Sequence, residues 1–219
     1  MSAPTIDSLV IADPPETWIA AGFTVDDDGS CRVGSVRLRL AGPDAGNRIV
    51  SWALRDIPRA TTSIDGLPTE ASSAEPPPEE PPVHDNGVAM IDHLVILSPD
   101  VDRTIAALGA VGVELRATRQ VDREQYGFDA RQTFFRLGEV ILELIGPDEP
   151  MDDAAERPAG FFGLAYTVQD LDATAALLAD HIGRVKDAVQ PGRMITTLRH
   201  KDLGMSVATA FMSAGAGSI

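Results

Sequence analysis

The chain has 219 residues, with 18 Lys and Arg against 33 Asp and Glu, and a formal net charge of -15. That balance, with no basic run of five or more, excludes a surface built to neutralise nucleic-acid phosphates. One cysteine, Cys31, excludes an intramolecular disulfide, and no apolar run approaches the roughly 18 residues of a membrane span, so a soluble protein of the reducing cytoplasm is expected.

Hydrophobic residues make up 44% of the chain but aromatic ones only 5%, so aliphatic side chains are expected to fill the core. The first apolar run, IDSLVI at 6-11, reads as a buried strand. A helix follows, with Asp13 as its cap, Pro14 in its first position and Gly22 ending it before FTV. RVGSVRLRLAGP, 32-43, supplies further strands and closes a module over 1-57. Residues 58-88 hold seven of the 16 prolines and six acidic residues, and by composition they read as a linker. Its PPPEEPP run, 76-82, favours an extended spacer, with recruitment of a protein partner as a subsidiary role.

After the linker, IDHLVIL opens a second module over 90-147, with Ser98 capping a helix, Pro99 in its first position and Val101, Ile105 and Leu108 on one face. A third module, 160-213, begins at FFGLAYTV and continues into a helix capped by Asp170, with Leu171, Ala175, Leu178 and Ile182 on one face and Gly183 at its end. MITTLRH, 194-200, and MSVATAFM, 205-212, are its later strands, and 214-219 reads as a flexible tail. Tyr166 shares its alternation face with Leu164 and is expected in the core.

Two of these stretches repeat. IDSLVI returns at 91-96 as IDHLVI, identical at five of six positions, and RVGSVRLRLAGP returns at 136-147 as RLGEVILELIGP, identical at seven of twelve. Both pairs keep the same order, so one supersecondary unit has been copied.

A repeated βαβββ unit opened by IDHLVIL and closed by GEVILELIGP resembles the vicinal-oxygen-chelate superfamily of glyoxalases, bleomycin-resistance proteins and dioxygenases. The resemblance covers 89-213 and implies an α+β fold in which tandem βαβββ modules form curved mixed sheets with flanking helices. It also implies a divalent metal, Zn, Ni, Mn or Fe, held by residues of the first and last strand of each module. Carried onto this chain, those positions are His93 and Glu143, either as metal ligands or as catalytic acid and base. The other copies depart from the pattern: alignment puts Gly163 and Thr209 in the third module and Ser8 and Arg39 in the first, so a metal-free site is an equal alternative.

Further ligand-binding candidates come from the residues themselves. Gln190 and Arg193 flank a Pro-Gly turn, and His200 ends the strand that follows, an arrangement suited to clamping a carboxylate or phosphate. Arg136 shares an alternation face with Phe134 on the strand before Glu143. His84, in the linker, and His181 have no partner readable from the sequence. No Walker loop, GxSxG elbow or HExxH segment is present.

Two functions are compatible with this pattern. One is a metal-assisted isomerase, lyase or dioxygenase acting on a small anionic or oxygen-rich metabolite. The other is a metal-free small-molecule binding protein of the bleomycin-resistance type. The extra first module exposes an apolar sheet face unless it packs on the third module or on a second chain, and a homodimer is expected on that ground.

Overall fold

The structure is a computed structural model and describes residues 2-77, 80-121, 127 and 129-215. Four copies of one strand pattern follow one another along the chain. The first comprises β1 (Thr5–Ile11), α1 (Pro15–Ala20), β2 (Ser30–Val33) and β3 (Val36–Leu40), with β3 pairing parallel to β1 and antiparallel to β2. Strict alternation builds β3: Val36, Leu38 and Leu40 are buried, while Arg37 and Arg39 are exposed.

The second copy was not legible as one. Residues 49-72, split in the sequence reading between the first module and the linker, form β4 (Ile49–Arg55), β5 (Ser63–Ile64) and β6 (Leu67–Ser72). β6 runs parallel to β4 and antiparallel to β5, the same pattern without the helix. Asp65 and Gly66 turn the β5-β6 hairpin with φ of 48° and 83°, the paired positive angles of a type I′ turn. The linker expected over 58-88 is therefore shorter.

What remains of that linker is anchored on its C-terminal side. The Thr24 hydroxyl donates to the Val83 carbonyl at 2.6 Å, and Asn86 donates through Nδ2 to the Ala21 carbonyl at 2.9 Å. His84 is buried: Nδ1 accepts from the Thr24 amide at 3.0 Å, and Nε2 lies 3.1 Å from the Arg32 carbonyl. Residues 78-79 of the proline-rich run lie outside the described residues, as do 216-219 of the expected tail.

The third copy is β7 (Val88–Leu97), α2 (Val101–Ala110), β8 (Leu115–Val121), β9 (Ala130–Leu137) and β10 (Val140–Pro147), in sheet order β7-β10-β9-β8. The fourth is β11 (Gly160–Val168), α3 (Leu171–Leu178), β12 (Lys186–Asp187), β13 (Met194–Thr197) and β14 (Ala208–Ser213), in order β11-β14-β13-β12. First and last strands are parallel in both, and the rest antiparallel. This is an α+β fold of tandem βαβββ modules, the later two complete and the earlier two shortened.

Helix starts differ from expectation in two places. Asp13 does not cap α1; its carboxylate accepts from Trp18 Nε1 at 3.1 Å and from the Ser206 amide at 2.7 Å. Asp100, not Ser98, caps α2 by accepting from the Arg103 amide at 3.0 Å. Asp170 caps α3 as expected, but that helix ends at Leu178, before Gly183. The strand expected over 194-200 stops at Thr197, and His200 opens a short 3-10 turn.

The chain divides into two compact units. Unit 1 comprises Met1–Asp7, Ser51–Glu75 and His93–Phe162. Its core includes Trp52, Leu54, Ile64, Leu94, Leu108, Phe135 and Leu142. There Arg103 Nε lies 2.6 Å from Asp65 Oδ1, the Thr104 hydroxyl donates to the same carboxylate, and Trp52 meets Phe161 at a ring separation of 5.3 Å.

Unit 2 comprises Ser8–Val50, Pro76–Asp92 and Gly163–Ile219. Aromatic rings are linked here: Phe23 lies 4.8 Å from Trp18, 5.2 Å from Tyr166 and 5.5 Å from His84, and Tyr166 lies 6.1 Å from Phe211. The expectation of an aliphatic core thus holds less well for unit 2, where edge-on ring contacts add to apolar burial. Tyr166 is in the core, as expected. The first module packs on the 163-213 region within this unit.

Among the described residues no helix is long and apolar enough to cross a membrane.

Candidate functional site

Alternation divides the β7-β10-β9-β8 half-sheet into two faces. Leu94, Ile96, Leu142, Leu144 and Phe135 are fully or almost fully buried on one. The other carries His93 and Val95 on β7, Ile141, Glu143 and Ile145 on β10, and Gln132, Phe134 and Arg136 on β9. Register orders these side chains in rows: His93, Ile141 and Arg136 form one, and Val95, Glu143 and Phe134 the next.

The structure brings His93 and Glu143 together. His93 Nε2 lies 3.5 Å from Glu143 Oε2, with side-chain exposures of 16% and 12%. That separation is long for a hydrogen bond, but it is an ion-pair contact once the imidazole is protonated. Both groups keep enough access for a ligand to reach them, and the apolar floor of Val95, Ile141 and Ile145 lowers the local dielectric. The arrangement can move a proton to or from a bound carbonyl compound.

Arg136 is exposed, and its Nε donates to the Gly138 carbonyl at 2.8 Å. Gln132 and Arg119, absent from the sequence reading, join this face: Arg119 Nε donates to Gln132 Oε1, and Gln132 is buried. The alternation that placed Phe134 and Arg136 extends two residues back to Gln132, so that signal was present.

The remaining candidates lie elsewhere in the fold, in unit 2. Arg193 is engaged internally, with Nη2 at 2.6 Å from Asp92 Oδ2 and Nε donating to the Ser213 carbonyl at 2.8 Å. The Thr167 hydroxyl donates to the same Asp92 oxygen at 2.9 Å. Gln190 is exposed in the preceding turn, and His200 is half-buried with its carbonyl accepting from the Met205 amide at 3.0 Å. Asp7, the counterpart of Asp92 in the first repeat, is bound likewise by the Arg55 guanidinium and by the Ser72 hydroxyl at 2.7 Å. The Asp of both ID dipeptides is thus an anchor for an arginine and a hydroxyl.

The metal expectation is testable on the donor set. His93 and Glu143 supply one nitrogen and one carboxylate. In the fourth copy Gly163 pairs with Ala208 and Ala165 with Ala210, so the register position of Glu143 is taken by Ala210. Thr209, assigned there by sequence alignment, is buried on the opposite face and donates to the Val207 carbonyl at 3.1 Å. A Cβ on Gly163 would come within 2.3 Å of the Ala208 carbonyl oxygen, so β14 approaches too closely for any larger side chain. Among the described residues no group of three or more His, Cys, Asp or Glu gathers to hold an ion. Catalytic metals normally keep three protein ligands, and among the described residues His93 and Glu143 supply two.

The first copy matches the sequence alignment. Ser8 pairs with Arg37 and Val10 with Arg39, so Ser8 and Arg39 occupy the register positions of His93 and Glu143.

Comparison with known proteins gives likenesses. Among curated proteins none matches this chain. Solved structures similar to it include methylmalonyl-CoA epimerase from Mycobacterium tuberculosis, 20% identical over 59% of this chain and 90% of that one, with a TM-score of 0.45. A variant of the Streptomyces coelicolor methylmalonyl-CoA epimerase in complex with 2-nitronate-propionyl-CoA is 26% identical over 59% of this chain and 96% of that one, also with a TM-score of 0.45. A hypothetical protein from Bacillus halodurans is 16% identical over 59% and 96%, with a TM-score of 0.43. The model of the Glyoxalase/Bleomycin resistance protein/Dioxygenase superfamily matches residues 92–196, from the start of the candidate face into β13, and that stretch is similar to the superfamily.

Proposed function

We propose that this chain is a small-molecule enzyme of the proton-transfer kind, an isomerase or lyase, whose site is the open face of β7, β10 and β9. The observation that supports the reading is the contact of 3.5 Å between His93 and Glu143 on a face floored by apolar side chains. Glu143 is the base that removes a proton beside a carbonyl, and His93, once protonated, donates to the oxygen that gains charge. Phe134 supplies a flat apolar contact, and Arg136 at the end of the His93 row attracts a carboxylate or another anionic group. Arg193 is left out because Asp92 already holds it, and Gln190 and His200 belong to unit 2.

A divalent ion bound by His93 and Glu143 would need further donors from the ligand or a second chain, so the proposed chemistry is assigned to the side chains. A metal-free binding protein is the second reading. The non-ligating Gly163 and Ala210 favour it over a resident metal, but it leaves the His93–Glu143 contact without a task. Placement in a reducing cytoplasm accords with Cys31, whose burial pushes its thiol up to about 12 and makes it inert.

The test is thermal melting of chelator-treated protein with a panel of small carboxylates, 2-oxo acids and acyl thioesters, with and without Zn, Ni, Mn or Fe(II). At least one organic anion should raise the melting temperature without added metal, and Phe134→Ser and Arg136→Gln should shrink that shift. If no organic anion shifts melting, or the shift ignores both substitutions, the face is not the site.

A further inference from the structure

We propose that Arg119 selects the substrate by holding a second carboxylate, so that the site takes a short 2-oxo dicarboxylate whose reacting carbon lies between its two anionic ends. Such selection rests on the proton-transfer reading of the β7, β10 and β9 face and extends that face to β8. Arg119 pairs directly with Gln132, Gln132 with Ile145 and Ile145 with Leu97, which makes a third row of side chains alongside those of His93 and Glu143. The Glu143 row therefore stands between a row that ends in Arg136 and a row that ends in Arg119.

Both arginines are oriented in the same way. Nε of Arg119 donates to Oε1 of the buried Gln132, and Nε of Arg136 donates to the Gly138 carbonyl. Each guanidinium is thus fixed through Nε by a neutral oxygen, and its two Nη groups form the other edge of the fork, which matches the two oxygens of a carboxylate. The chain has 33 Asp and Glu, yet among the described residues neither of these two guanidinium groups is in an ion pair. β8 is the last strand of its sheet, and an arginine that only guarded this edge would extend into solvent. Arg119 is instead half-buried and bonded to an amide on its own sheet face.

Spacing sets the size of the substrate. Gln132 and Arg136 are four residues apart on β9 and Arg119 lies one strand further out, so the two arginines arise about 14 Å apart. With a carboxylate held at each end at about 2.8 Å, that gap suits a chain of few carbons, and Glu143 stands between the ends. The carbon beside the ketone gives its proton to the Glu143 carboxylate, its electron pair moves onto the ketone oxygen, and protonated His93 donates a proton there. A phosphate dianion at either end would be repelled by Glu143 more strongly than a carboxylate is.

Calorimetric titration with 2-oxoglutarate and with 2-oxopentanoate, which has a methyl group in place of the second carboxylate, tests the assignment. Wild type should bind 2-oxoglutarate roughly tenfold or more tightly than 2-oxopentanoate, the difference expected for charged hydrogen bonds. Arg119→Gln should abolish that preference by weakening 2-oxoglutarate alone, and its unchanged binding of 2-oxopentanoate reports that the variant is folded. Arg116→Gln, at an exposed arginine of the same strand paired with Glu114, should keep the preference. The proposal alone is overturned if wild type binds both acids equally, if the preference survives Arg119→Gln, if that variant weakens both acids alike, or if Arg116→Gln removes the preference as well. Binding of neither acid also overturns it, and the proton-transfer reading falls with it only when the other organic anions leave the melting temperature unchanged.

Discussion

Burial holds the imidazole of His84 below its ordinary value of 6.5, against smaller opposing effects from the Arg32 carbonyl and from Asp85. The unfolded chain takes up a proton near the ordinary value while the folded chain resists it. His84 therefore contributes stability above that pH, and the contribution is lost as pH falls through the lowered folded value. Urea unfolding from about pH 8 to about pH 5 should show this loss in wild type and a shallower one in His84→Gln. Equal slopes would mean the ring is solvated. A second residue-scale expectation concerns Asp92, buried and bound by Arg193 and Thr167. Removing one partner of such a pair leaves the other unpaired, and Arg193→Met should cost roughly 3 kcal/mol in the same assay. Were Arg193 a surface clamp for ligands, stability would hardly change.

Elements whose signals are local were legible, and those whose signals are short were not. The apolar runs IDSLVI and IDHLVI became β1 and β7, and the alternation of VRLRL became β3. The β5-β6 hairpin was hidden because its strands are two and six residues long and sit in a stretch read as linker for its prolines and acids. Asp65-Gly66 was nevertheless a hairpin signal. Gly66→Ala should destabilise the protein measurably, since the residue has a φ of +83° and its new Cβ would lie 2.2 Å from Pro158 Cβ. Melting at the wild-type temperature would show that the turn is not held. Helix caps were half legible: Asp170 was identified, whereas Asp100 was passed over for Ser98, whose hydroxyl instead donates to the Asp100 carbonyl at 2.8 Å. Asp100→Ala should therefore cost about 1 kcal/mol, the usual value of a cap. In the site, the resemblance to a known family singled out His93 and Glu143, and strand alternation put Phe134 and Arg136 on one face. The destination of Arg193 was not legible, because Asp92 lies 101 residues away and only folding brings the two together.

At the scale of the whole molecule the repeat explains both the fold and the uneven distribution of chemistry. Four copies of one pattern are present, but a His and a Glu stand at these positions of the first and last strands in the third, His93 and Glu143. The first copy carries arginine and serine there, and the fourth glycine and alanine. The homodimer expected from the sequence rested on an uncovered first module, and Trp18 and Phe23 of that module are packed against Tyr166 and its neighbours within unit 2. That ground for a homodimer is removed, and light scattering reads the assembly directly, one chain having a mass of 23.2 kDa. A dimer mass would require another interface. The central claim, that His93 and Glu143 form a working acid–base pair, is tested most directly by incubating the protein in heavy water with the 2-oxo acids and acyl thioesters that raise its melting temperature. Deuterium uptake at the carbon beside the carbonyl is then followed by mass spectrometry. The account predicts uptake by wild type and a loss of roughly a hundredfold or more in Glu143→Gln, the usual contribution of a general base. Binding without uptake, or uptake that Glu143→Gln leaves intact, would contradict it.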